Sequence, residues 1–187
     1  MINSMTRLSS IFQRSLLVAT SLCFVCCMPG DQPVRAQSVA PAKTIILTPQ
    51  DVGSLMPHSV FFRGQTANVQ LRNTFGLRLA DGAIVLAGLV DNSGYATGIQ
   101  QKYQGYLLNE TALTVNGEAL PAGAYGFGFI AKDAFVAMDL GAHDVLQVAT
   151  KTDATMLHPR PLEIVAGTHA GSYRLYEGRR FVSVRIK

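Results

Sequence analysis

The sequence predicts an all-β protein, a single antiparallel β-sandwich or a partly open barrel, with one short N-terminal helix. Short apolar segments alternate along the chain with turns rich in glycine, asparagine and aspartate, which is typical of sandwiches. Helical periodicity is weak throughout. Charged residues make up 15% of the chain, against about 25% in average globular proteins. This composition excludes disorder and an extended coiled coil, because both classes need many more charges.

Residues 1–36 are predicted to be a cleaved secretory signal peptide. Arg7 and Arg14 give a positive beginning, and an apolar run of about 14 residues follows, which is too short to span a bilayer comfortably. Val34 and Ala36 place small residues before a plausible cleavage point. We therefore expect export to the periplasm or the extracellular space.

Two alternatives to cleavage stay open. The apolar run would also fit a retained N-terminal anchor, and Cys23, Cys26 and Cys27 at its end would fit a lipid anchor. All the cysteines precede the predicted cleavage point, so the exported chain would have no disulfide, no thiolate nucleophile and no cysteine metal ligand. The exported chain is long enough for one hydrophobic core. It is predicted to consist of a flexible lead-in at residues 37–43 and a β-sandwich domain at residues 44–187.

Removal of residues 1–36 also halves the net charge. The whole chain carries +4, and residues 37–187 keep +2 because the first segment contains three arginines and one aspartate. Nucleic-acid binding requires a concentrated basic face, and the basic residues near the C-terminus are interpreted as the solvated face of a hairpin. We expect no nucleic-acid partner and no transmembrane span in the mature chain.

The short helix and the strands are predicted from local signals. Thr48, Pro49 and Asp51 form a helix-start signal, because threonine caps, proline suits the first helical position and aspartate follows three residues after the cap. Gly53 and Pro57 limit this helix to one or two turns. The predicted strands are residues 44–47, 58–63, 66–73, 83–90, 95–103, 106–108, 112–115, 123–131, 134–140, 145–150, 162–165, 173–176 and 179–186.

Two turn signals predict hairpins. Residues 116–117 are Asn-Gly, the pair that a type I′ turn favours because both central residues need positive φ. Residues 177–178 are Glu-Gly and predict a second hairpin. In the strand that follows, alternation over residues 182–186 places the valines and the isoleucine on one face and Ser183 and Arg185 on the other.

Residues 83–90 are apolar at every position, which favours a central strand covered on both faces. Periodicity alone would also allow a buried helical segment. Turn residues at 81–82 and 91–94 flank the segment and favour the strand.

Residues 113–125 read Leu-Thr-Val-Asn-Gly-Glu-Ala-Leu-Pro-Ala-Gly-Ala-Tyr, and a glycine-aromatic strand follows them. This stretch resembles small exported bacterial β-sandwich proteins of the DUF2911 kind, over about 30 residues at 113–142. That group has no established activity. The resemblance therefore implies a fold and a compartment, and it assigns no functional residue.

Aromatic and basic side chains are the candidates for ligand binding. In the glycine-rich strand, Tyr125 and Phe127 share one face, which predicts a core stripe or, alternatively, an aromatic platform for a ligand. Tyr103 and Tyr106 offer contact area with a polar end, which suits a binding surface as well as a half-buried strand. Arg174 is a candidate clamp for an anionic ligand.

His143 and Asp144 are the candidate metal ligands, because imidazole and carboxylate are common partners of metals in exported enzymes. Their position between two strands also fits a solvated turn. His58, His158 and His169 would join them only through the fold. No His-x-His, His-Glu-x-x-His or Gly-x-Ser-x-Gly pattern occurs, so no catalytic residue and no cofactor is assigned.

The sequence favours an exported, non-catalytic binding or envelope-accessory module of unspecified ligand. One alternative is an extracytoplasmic hydrolase or metal-dependent enzyme that uses His143 and Asp144 with other histidines. Another is a structural subunit whose strand edges pair with a partner.

Overall fold

A computed structural model describes residues 43–187 and shows an all-β fold built from two antiparallel sheets. The predicted signal peptide, its cysteines and all of the predicted lead-in except Lys43 lie outside the described residues. Neither of the short helices in the described part of the chain has the length or the apolar character needed to cross a membrane.

The elements in chain order are β1 (Ile45–Leu47), α1 (Pro49–Val52), β2 (Ser59–Phe62), β3 (Gln65–Arg78), β4 (Ile84–Val90), α2 (Thr97–Gln100), β5 (Gly105–Asn109), β6 (Leu113–Val115), β7 (Glu118–Leu120), β8 (Gly123–Ile130), β9 (Ala134–Met138), β10 (Asp144–Ala149), β11 (Lys151–Thr152), β12 (Arg160–Ala166), β13 (Ser172–Gly178) and β14 (Arg180–Ile186). The larger sheet has eight strands in the order β1-β3-β4-β5-β8-β9-β10, with β2 paired to β3. The smaller sheet has six strands in the order β12-β13-β14-β6-β7, with β11 paired to β14. The two sheets are separate and antiparallel, so the prediction of an all-β sandwich is confirmed.

The main core lies between the two sheets. Val85 and Phe127 of the larger sheet belong to one buried cluster with Leu113, Leu175 and Val182 of the smaller sheet. Apolar burial of this kind is the dominant force that holds two sheets together.

A second core covers the outer face of the larger sheet. Val52 of α1, Phe62 of β2 and Tyr103 pack there against Leu86 and Val136 of the sheet. The larger sheet is therefore buried on both faces.

Strand β4 shows the consequence of burial on both faces. Val85 and Ala87 lie in the main core, whereas Leu86 and Val90 lie in the second core. The prediction that the uniformly apolar segment is a central strand covered on both sides is confirmed.

The glycine-rich strand β8 is also confirmed as a core stripe. Tyr125, Phe127 and Phe129 all belong to the main core. On the opposite face, a Cβ on Gly126 would lie 2.5 Å from a ring carbon of Phe62. The glycine face of the strand is thus closely covered, as the alternation predicted.

Helix α1 begins at the predicted capping signal. The Thr48 backbone N–H donates to the Asp51 carboxylate at 2.9 Å, which forms one half of a capping box. This bond and one from the Thr48 hydroxyl lower the pKa of Asp51.

The predicted strand at residues 95–103 is wrong, because this segment contains the helical turn α2 instead. The backbone carbonyls of this segment accept hydrogen bonds from side-chain amides, and not from the backbone of a neighbouring strand. Asn92 Nδ2 donates to the carbonyls of Gln100 and Tyr103, and Gln100 Nε2 donates to the Tyr95 carbonyl at 2.7 Å. The segment closes on itself and turns both tyrosines into the second core.

Both hairpins are present. Asn116 and Gly117 have φ values of 49° and 98°, so the type I′ prediction is confirmed. In the second hairpin Glu177 pairs with Arg180, so the turn lies one residue later than predicted. Gly178 is its first residue and has a φ of 60°.

Candidate functional site

The residues that the sequence proposes for ligand binding lie at three separate places. Tyr103 is fully buried in the second core, and Tyr106 packs against the same cluster. Tyr125 and Phe127 are buried in the main core, on the opposite face of the larger sheet. Arg174 lies apart from both groups, on the outer face of the smaller sheet. The residues before and after it on β13, and their partners on β14, point into the main core.

The three tyrosines are neutral core side chains in this arrangement. Burial raises the pKa of Tyr103, and the nearby Tyr95 and Tyr106 add to that shift. Burial likewise raises the pKa of Tyr106 and of Tyr125. The Tyr125 hydroxyl donates to the Pro121 carbonyl at 3.1 Å, whereas the Tyr103 hydroxyl has no hydrogen-bond partner among the described residues.

The two candidate metal ligands bind different partners. His143 Nδ1 lies 3.0 Å from Asp139 Oδ2 within one turn, and Asp144 Oδ2 lies 2.6 Å from Lys102 Nζ. The bond from the His143 backbone N–H is the main cause that lowers the pKa of Asp139. Within residues 43–187, no three histidine, cysteine, aspartate or glutamate side chains are grouped as metal ligands.

An open groove of about 1210 Å³ runs along the smaller sheet and the edge of the larger one. We call it the basic groove. The polar and charged residues that give it its character are Thr114, Asn116, Lys151, Arg174, Ser183 and Arg185.

Strand pairing places two arginines of the basic groove close together. Arg174 on β13 pairs with Ser183 on β14, and Arg185 pairs with Ser172 on β13 and with Thr114 on β6. Residues that pair in this way share one face of a sheet, so the arginines are diagonal neighbours with hydroxyl side chains beside them. The prediction that Ser183 and Arg185 face away from the core is confirmed, because Val182 packs in the main core.

An aromatic pair supports the Arg174 side chain. Its guanidinium carbon lies 4.9 Å from the centroid of the Phe181 ring, and its Nη1 donates to the Tyr176 hydroxyl at 3.2 Å. The Tyr176 hydroxyl donates in turn to Asp153 Oδ2 at 3.1 Å. Hydrogen bonds from Thr155, and then from Tyr176, lower the pKa of Asp153, and the charge of the nearby Arg174 adds to that shift. Arg174 is thus held over an aromatic surface, while a guanidinium has further N–H donors to offer a ligand.

The charges of the basic groove are unbalanced. Among the described residues that line it, Lys151, Arg174 and Arg185 are cationic and Glu118 is the single carboxylate. None of these cations forms an ion pair with any residue in the described part of the chain. Arginines beside hydroxyls suit carboxylate, sulfate or phosphate groups, since the guanidinium forms charge-assisted, bidentate hydrogen bonds with them.

The basic groove also contains a serine close to a histidine, but they meet through the backbone. Ser172 Oγ donates to the His169 carbonyl at 2.7 Å and accepts from the His169 backbone N–H at 3.2 Å. A serine that a histidine activates as a nucleophile needs a bond to the imidazole ring. The contact observed here stabilises the turn between β12 and β13.

The sequence points to Arg174 but not to its partners. Alternation places Ser183 and Arg185 on one face of β14 but does not distinguish a solvated face from a binding face, and Asn116 reads as a turn residue. The pairing of β14 with β6 and β13, which brings these residues together, is not contained in the local pattern.

No protein-family model, no curated protein and no solved structure matches this chain. The resemblance to proteins of the DUF2911 kind stays a prediction.

Proposed function

We propose that this protein is an exported, non-catalytic binding module that holds an anionic ligand in the basic groove. The observation that carries the proposal is the set of three cations, Lys151, Arg174 and Arg185, which face one groove without ion pairs to the described residues. Unpaired arginines and lysines on a concave surface attract and orient anions. The signal-peptide features of residues 1–36 support export.

The alternative of an enzyme that uses His143 and Asp144 has less support. Each of these side chains already contacts another partner, and the partners are different residues. General acid–base or metal chemistry requires several such groups to converge on one substrate position.

Binding of two polyanions to the wild-type protein tests the proposal. Poly-L-glutamate and polygalacturonate supply carboxylates on a peptide backbone and on a sugar backbone. We expect calorimetric titration to show saturable binding of at least one of them, and added KCl to weaken it, because exposed charge interactions are screened by salt.

Charge-removing variants locate the binding surface. Arg185→Gln and Lys151→Gln are each expected to raise Kd roughly threefold to fivefold, the equivalent of about 1 kcal/mol or less for one exposed ion pair. Arg72→Gln is the matched control, because Arg72 is exposed on β3 and does not line the basic groove. Equal weakening by Arg72→Gln and Arg185→Gln, or no binding of either polyanion at low salt, would contradict the proposal.

A further inference from the structure

Strand β10 is an edge strand whose outer backbone groups face away from the larger sheet. The residue that follows β10 shows which positions of the strand bond to β9. The Thr150 N–H donates to the Asp133 carbonyl, on the β9 side, at 2.7 Å. In an antiparallel pair the bonded positions alternate. Leu146 and Val148 therefore bond to β9, and Gln147 and Ala149 face outward.

A side-chain contact independently confirms that Ala149 faces away from β9. Its carbonyl accepts a hydrogen bond from Asn116 Nδ2 at 2.6 Å, on the side away from β9. For Gln147, the N–H and the carbonyl have no backbone partner among the described residues. The unpaired part of the β10 edge is therefore at Gln147, before the position where the β6–β7 turn binds Ala149. Residues 145–149 of β10 line the basic groove.

The other edge strands of the two sheets are shorter or carry features that block pairing. Strands β1 and β7 have three residues each. Strand β12 contains Pro161, has a register shift between Arg160 and Glu163, and carries an ion pair across that shift at 3.9 Å. Prolines, bulges and charges are the usual protection of a sheet edge. Strand β10 also has a register shift, between Asp144 and Leu146, and Asp144 is paired with Lys102. Beyond that shift, residues 146–149 are Leu-Gln-Val-Ala, with neither proline nor charge.

We propose that the ligand of the basic groove is an extended, acidic peptide segment of a partner protein, which pairs with β10 as an added strand. This inference rests on the proposed function and specifies its ligand. Backbone pairing with an exposed edge is a known recognition mode, in which side-chain contacts supply the selectivity. Here Lys151, Arg174 and Arg185 supply it, because they border the same groove and attract acidic side chains.

Charge argues for an acidic partner over a second copy of this chain. Pairing of two β10 edges would bring together two sets of Lys151, Arg174 and Arg185, with only Glu118 of each chain to offset them in the groove. Like charges placed close together oppose association. An extended acidic peptide instead places every second side chain on one side, where its carboxylates would meet the cations of β11, β13 and β14 that border the groove.

Backbone methylation of the peptide gives the sharpest test. The probe is a short peptide of alternating valine and glutamate, prepared unmodified, N-methylated at every valine, or N-methylated at every glutamate. Only one alternate set of N–H groups in an added strand faces β10. We expect one methylated peptide to bind wild-type protein at least tenfold more weakly than the unmodified peptide, and the other to bind within threefold of it. Equal behaviour of the two methylated peptides would overturn the inference.

A variant of this protein tests the same strand edge by changing β10, whereas the previous test changes the peptide. Gln147→Pro removes an outward N–H and leaves the bonds between β9 and β10 in place, since an edge strand tolerates proline where its N–H faces outward. We expect roughly tenfold weaker peptide binding, unchanged polygalacturonate binding and a thermal midpoint close to that of wild type. The methylated peptides decide the question on wild-type protein if this variant does not fold.

The outcomes separate the two proposals. Binding of polygalacturonate with no discrimination between the methylated peptides overturns the peptide inference and leaves the anionic groove. Absence of binding by both polyanions and by the peptide overturns both. A dimer in light scattering that Gln147→Pro dissociates, together with no peptide binding, identifies a second copy as the occupant and overturns the peptide inference.

Discussion

At the scale of single residues, Gly126 is where the larger sheet comes closest to the segment that covers its outer face. A Cβ at this position would lie 2.5 Å from Phe62 Cε2 and 2.9 Å from Tyr103 Cδ2. These two rings stack with centroids 3.9 Å apart, and both side chains are 0% exposed. Neither ring has space to withdraw, because the interior is packed to crystal-like density.

We therefore expect Gly126→Ala to lower the free energy of unfolding by about 1–3 kcal/mol, the usual cost of an overpacked core. Urea unfolding followed by circular dichroism measures the change. Gly98→Ala is the matched control, since Gly98 is in helix α2 and no atom outside its own helical turn lies within 4 Å of the added Cβ. Its stability should be unchanged or slightly higher, and an equal loss in both variants would show that the close contact is not the cause.

The candidate site also depends on single residues whose roles are not apparent from their neighbours in sequence. Arg174 is held by Phe181 and Tyr176, and Tyr176 is held by Asp153. Strand alternation predicts that Arg174 points outward. It does not predict the aromatic pair beneath it, because that pair is formed by two strands and a loop.

At the scale of elements, the β6–β7 hairpin joins the edges of the two sheets. Asn116 in its turn accepts a bond from the Ser183 N–H at 2.8 Å and donates to the Ala149 carbonyl at 2.6 Å. Ser183 belongs to β14 of the smaller sheet and Ala149 to β10 of the larger one. One turn residue therefore connects β14 to the last residue of β10.

Two substitutions separate the roles of Asn116. Asn116→Gly keeps the positive φ of 49° without strain and removes both side-chain bonds, so we expect a loss of about 1–2 kcal/mol in the free energy of unfolding. Asn116→Ala removes the same bonds and adds the strain of a left-handed conformation, so it should lose about 1 kcal/mol more. Denaturant unfolding of both variants measures this difference. Equal stability of the two variants would contradict the assignment of strain to this turn.

Helix α2 shows where element prediction from local pattern fails. The tyrosines at positions 95 and 103 favour a strand by propensity. The structure satisfies the backbone there with the amides of Asn92 and Gln100. Side-chain amides here compete with a neighbouring strand for the backbone hydrogen bonds, and an apolar pattern does not reveal that competition.

At the scale of the whole molecule, residues 43–187 bury the larger sheet on both faces and the smaller sheet on one. This asymmetry leaves the outer face of the smaller sheet as the surface that carries the basic groove. All the cysteines of the chain precede residue 37, so the described fold is held by burial and hydrogen bonds without disulfides.

We expect the exported protein to begin at Gln37 and to contain 151 residues. The reason is that Val34 and Ala36 present small side chains at the positions that signal peptidase reads. Intact-mass measurement of the protein recovered from the periplasm or the medium determines this terminus. Ala36→Leu should slow cleavage and enrich the uncut form. A mass that includes the cysteines and a lipid would instead identify a lipid anchor.

The sequence by itself determined the all-β class, helix α1, the two hairpins, the central strand and the faces of β8 and β14. These features follow from local chemistry: turn residues, a capping signal and alternation with a period of two. The tertiary structure decided the order of strands in each sheet and the basic groove. Lys151, Arg174 and Arg185 come from three strands, and their convergence depends on long-range pairing between segments whose local patterns would allow many partners.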